Sequence, residues 1–181
     1  MRDLLALLAG ALGTLAVVLA LLAGAGFLLL GWRLSREASR RAVGHTARDL
    51  ALACAIALIV VLTLLMPTPT GSGLEPEPRL TPFLDLVSAL RGDRSLTRVV
   101  AEMAANVALF IPFGLALRWR LPGLGLFEIG LASLALSSTM EVLQAFAVAG
   151  RWADSTDVIM NTIGGLVGAW LATLGAGGEP E

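Results

Sequence analysis

Five apolar runs decide what this chain can become: Leu4 to about Trp32, Leu50 to Met66, about Val99 to Leu117, about Leu124 to Ala149, and about Val158 to Leu174. Crossing a hydrocarbon core of roughly 30 Å takes about 20 helical residues. Inside lipid a segment must satisfy its own backbone hydrogen bonds, so such runs become helices. The expected fold is therefore all-α, a polytopic membrane helical bundle with about five transmembrane helices. The second run is the shortest, and Pro67 marks its end. With 56% hydrophobic residues and a mean hydropathy of +0.81, the chain is too apolar for an ordinary soluble domain. The first run far exceeds a signal-peptide core and its basic n-region is only Arg2, so it reads as a retained helix. Gly10, Gly13, Gly24 and Gly26 on that run, and Gly164 with Gly168 on the fifth, suit close helix packing within the bundle.

Charge narrows the function classes. All 13 basic residues are arginine and the net charge is -1, which argues against nucleic-acid binding. One cysteine, Cys54, and one histidine, His45, leave no zinc site of the nitrogen/sulfur type. Arginines cluster at 33–49 (Arg33, Arg36, Arg40, Arg41, Arg48) and after the third run (Arg118, Arg120). A five-helix chain puts both clusters on one side, which the positive-inside rule makes cytoplasmic. The expected location is the cell membrane, multi-pass, with the N-terminus outside and loop 33–49 cytoplasmic. The segment 67–98 would lie outside. It opens with PTPTGSGLEPEP, which excludes regular structure, and continues as RLTPFLDLVSALRG, a short helix in the interface or on the bundle surface.

Against this apolar background, GRWADSTDVIMNT at 150–162 is out of character. Asp154, Asp157 and Asn161 recur at i, i+3 and i+7, one stripe of a helix. Glu141 and Gln144 share a face near the end of the fourth run, and Glu102 and Asn106 are spaced i, i+4 near the start of the third. The third run enters the membrane where the fourth leaves and the fifth enters. These groups and Arg151 therefore share one side of the bilayer, extracytoplasmic on the arginine count. Glu141 is the deepest charge, seven residues or about 10 Å below the end of its helix. A lone acid at membrane depth costs about 2.5–3.5 kcal/mol on insertion scales and is usually paired or functional. Each group also has a plain structural reading: Asp154 or Ser155 as a helix cap, Asp157 at a helix N-terminus, Arg151 as a counter-ion, Asn161 as an interhelical hydrogen bond. Their convergence from three helices points to a polar pocket.

NVALFIPFG followed by EVLQAFAVAGRWADSTDVIMNTIGGLVG resembles the VanZ-like family of small bacterial membrane proteins. The family pattern falls here on Asn106, Pro112, Gly114, Glu141, Gln144, Arg151, Asp154, Asp157, Asn161 and Gly164, with no position missing. LTLLMPTP and RLTPFLDL are similar to the family as well. The likeness covers about residues 50–174, a four-helix membrane domain. It leaves 1–49 as an added helix with an arginine-rich loop and 175–181 as a short acidic tail. It implies a membrane location, a helix arrangement, and a working site at these polar residues, with Pro112, Gly114 and Gly164 as structural motif. It does not imply antibiotic resistance.

Two uses of such a pocket are expected. One is binding of an envelope lipid, an envelope precursor or a glycopeptide-type head group through Asn106, Gln144, Arg151, Asp154 and Asn161, with no cofactor. The other is a membrane-embedded enzyme in which Glu141 and Asp157 supply acid and base to a lipid-linked envelope substrate. Oxygen ligands from Glu141, Asp154, Asp157 and Asn161 could also hold a divalent hard cation. Ser137, Ser138 and Thr139 have no histidine near to activate them. A transporter would need polar residues continuing toward the inner half, which the sequence does not offer, though a homo-oligomer would supply a path.

Overall fold

The structure, a computed structural model, describes residues 2–64, 80–147 and 153–176. Among them it contains six helices and no strand: α1 (Arg2–Leu34), α2 (Ser39–Leu64), α3 (Leu84–Leu90), α4 (Leu96–Arg120), α5 (Leu126–Ala147) and α6 (Ser155–Ala176). All but α3 are long and apolar enough to cross a membrane. At 1.5 Å per residue, the 22 residues of α6 span about 33 Å, close to one hydrocarbon core.

The helix ends have local causes. α4 stops as Leu121 adopts φ -125°, ψ 76°, and Pro122 bars the residue before it from helical backbone. α6 starts behind Asp154, whose carboxylate accepts the Thr156 N–H at 2.8 Å. α3 starts two residues after Pro82, behind Phe83 in the left-handed region (φ 59°), and Gly92 (φ 91°) follows it.

The arginine-rich segment differs from its expected form as a loop over 33–49. Only residues 35–38 separate α1 from α2, and Ser39 onward is helical. Arginine and alanine are good helix formers, and no proline interrupts the stretch. Arg120, the last residue of α4, meets Asp49 of α2. Ten residues of α2, from 39 to 48, therefore extend beyond the end of α4, about 15 Å of helix.

α4 is the centre of the bundle, packing on α6 most extensively and on α2, α3 and α5 besides, while α1 touches α2 alone among the described helices. The α4–α6 approach is backbone on backbone. A Cβ added at Gly114 would stand 1.9 Å from the Gly165 carbonyl oxygen, and one at Gly168 2.0 Å from that of Ile111. At Gly164 the obstacle is the Val107 carbonyl oxygen at 2.2 Å. Gly164 and Gly168 thus face α4 inside the bundle. Around this seam Ile59, Phe110, Phe113, Ile129 and Met140 form the apolar core. Phe27, Leu28, Phe127 and Phe146 stay exposed on the outside, as lipid-facing side chains do. Pro112 sits inside α4 without ending it.

Candidate functional site

The polar residues of α4, α5 and α6 meet at one end of the bundle, and α6 is their hub. Asp157, in its first turn, accepts a hydrogen bond from the Asn106 amide on α4. One turn deeper, Asn161 donates from Nδ2 to Ser137 Oγ on α5 at 2.8 Å. Glu141, one turn above Ser137, accepts the Asp154 N–H at 2.8 Å. Glu141 is 7% exposed and Asn161 4%. The carboxylate thereby satisfies a backbone donor at the entrance to α6, where the first N–H groups of a helix have no internal partner. Asn161 Oδ1 is buried and has no hydrogen-bond partner among the described residues.

Several expected members take different places. Gln144 donates to the Thr63 carbonyl at 2.7 Å, so it satisfies an acceptor in the last turn of α2. Glu102 stands apart from the cluster. Its side chain is 55% exposed and pairs with Arg98 at 2.9 Å. Asp154 caps α6 with its side chain and binds Glu141 with its backbone. Arg151 lies outside the described residues.

Some participants carried little sequence signal. Ser133 and Ser137 are fully buried and continue the inward face of α5 below Glu141 at steps of four. Polar groups therefore do run deeper than the sequence expectation allowed. A lone serine can satisfy itself on its own helix, as Ser133 does on the Ile129 carbonyl at 2.8 Å, which hides it from hydropathy reading. Thr156 accepts the Phe83 N–H at 2.9 Å and so ties the segment before α3 to the top of α6.

Beside the cluster, a cleft of about 330 Å³ opens between α5 and α6. Its surface is almost wholly apolar (Leu80, Val142, Val158, Ile159); Ser138, Glu141, Asp154 and Ser155 border it with their polar atoms largely turned away. No group of three histidine, cysteine or carboxylate side chains placed to hold a metal ion occurs among the described residues.

The sequence model of the VanZ/LLP1 family matches residues 50–175. Among curated proteins, Protein VanZ of Enterococcus faecium is 43% identical over 67 residues, 37% of this chain and 41% of that protein. The chain thus spans less than half the length of this relative. No solved structure matches.

Proposed function

Because the chain belongs to the VanZ/LLP1 family and has five helices fit to cross a membrane, we propose that it is a multi-pass membrane protein whose α5–α6 cleft binds the head group of an envelope lipid, envelope precursor or glycopeptide-type molecule. The observation that carries this reading is the position of Glu141: deep in α5, nearly buried, yet lining the cleft. An acid in that setting presents an acceptor to ligand hydroxyl or ammonium groups with little competing water. Asn106, Asp157 and Asn161 fix α6 against α4 and α5 so that the cleft keeps its shape. Arg151, from the segment just before α6, would supply the positive charge for a phosphate or carboxylate. The cleft would face the outside, with the α1–α2 turn in the cytoplasm, on the arginine distribution.

The same position of Glu141 supports a second reading, in which Glu141 and Asp157 carry acid and base chemistry on a lipid-linked substrate, with or without a divalent cation. One experiment separates the two. A deletion strain is complemented with wild type, Glu141→Gln, Asp157→Asn or Arg151→Ala, and envelope-antibiotic sensitivity is read beside membrane abundance. Binding predicts that the amide variants retain activity while Arg151→Ala loses it. Catalysis predicts loss in both amide variants at normal abundance. A fall in abundance in step with activity in every variant would reject both and leave the cluster a structural one.

A further inference from the structure

The end of the bundle away from Glu141 holds a second polar assembly. The carboxylate of Asp49 is shared: Oδ2 accepts from Arg33 at the end of α1 at 2.6 Å, and Oδ1 accepts from Arg120 at the end of α4. Arg48, its chain neighbour, has no carboxylate among the described residues. Its Nε is buried without a hydrogen-bond partner, and its guanidinium carbon lies 5.9 Å from the Trp119 ring centroid. Beyond it, Arg36 stacks on Trp32 at 4.6 Å, and Arg40 and Arg41 stand exposed on the first turn of α2. Seven arginines (33, 36, 40, 41, 48, 118 and 120) share this end with three described acids, Glu37, Asp49 and Glu128. One of those acids, Glu37, already faces His45.

Water solvates the exposed arginines, but Arg48 is half-buried and its Nε is unpartnered among the described residues. The Asp49 carboxylate is divided between Arg33 and Arg120, and Arg48, next to Asp49 in the chain, faces the Trp119 ring with no carboxylate of its own among the described residues. The indole rings of Trp32 and Trp119 belong at the level of lipid head groups. Basic recesses between membrane helices at that level suit phosphate, whose oxygens match the guanidinium fork. We propose that Arg48, beside Trp119 at the arginine-rich end of α2 and α4, binds the phosphate of an anionic phospholipid head group. The reading is independent of the cleft, which lies at the other end of the bundle.

The test uses the full chain, purified in detergent and offered phosphatidylglycerol, phosphatidylcholine or inorganic phosphate. Retained lipid is counted by native mass spectrometry, and thermal stability is followed in parallel. Phosphatidylglycerol should be retained over phosphatidylcholine. Arg48→Gln should weaken that retention about fivefold, the weight of one arginine at a membrane surface. Arg48→Lys, which keeps charge and bulk but lacks the fork, should fall between, and it decides the matter if Arg48→Gln does not fold. Arg98→Gln, in the ion pair at the other end, should leave retention unchanged. Stabilisation by inorganic phosphate equal to that by phosphatidylglycerol would overturn the lipid as source. Equal retention of the two lipids, or no change in Arg48→Gln and Arg48→Lys, would overturn the site.

Discussion

At the residue scale, the cluster shows how an amide and a hydroxyl hold two membrane helices. Among the described residues Ser137 is the one hydrogen-bond partner of the Asn161 side chain, whose carbonyl oxygen has none. Ser137→Ala should therefore orphan the whole side chain. Interhelical hydrogen bonds of this kind average about 0.6 kcal/mol and reach about 1.7. A measurable drop in melting temperature in detergent is the expected outcome, and an unchanged melt would show that Asn161 re-pairs. What could be read in advance also divides at this scale. Glu141, Asp157, Asn106 and Asn161 were legible because charge and amide are conspicuous in an apolar run. Glu102 misled because i, i+4 spacing works in both directions: it joins Asn106 on paper and Arg98 in the fold. Opposite charge favours Arg98 over Asn106 at the same spacing. Gln144 reads in the sequence as a ligand contact, but its partner in the fold is a backbone carbonyl, which no sequence displays.

At the element scale, the long helices were legible from run length alone, since lipid leaves the backbone few options. Less legible was the head of α2. Hydropathy fixes where a helix becomes apolar, whereas hydrogen bonding fixes where it begins, and for α2 the two differ by about ten residues. The glycines make a sharper test of elements. Gly168→Ala places a methyl against the Ile111 carbonyl, which cannot swing aside as a side chain would. Gly24→Ala on α1 meets nothing within 4 Å. Overpacking typically costs about 1–3 kcal/mol, and an obstacle made of backbone belongs at the upper end. Monodisperse yield on size exclusion should fall for Gly168→Ala and hold for Gly24→Ala. Equal behaviour would contradict the α4–α6 seam.

At the scale of the whole molecule, α1 is an appendage, meeting the rest only through α2. A chain lacking residues 1–37 should keep the bundle of α2 to α6, and Asp49 keeps Arg120 when Arg33 is gone. Retained yield and melting temperature within a few degrees are the expected result. A cysteine placed at Ala38 should be shielded from a membrane-impermeant thiol reagent in intact cells, and one at Ser155 should react, if the arginine-rich end faces the cytoplasm. The hub position of α6 also has a consequence for synthesis. The ribosome delivers α4 and α5 first, yet Asp157, the described partner of Asn106, and the Asp154 N–H that Glu141 accepts both arrive with the last helix. Until α6 enters, Asn106 lacks the Asp157 carboxylate and Glu141 lacks the Asp154 N–H. A chain stalled before Asp154 would thus advertise itself to membrane proteases, and completion of the last helix would release it from their attention.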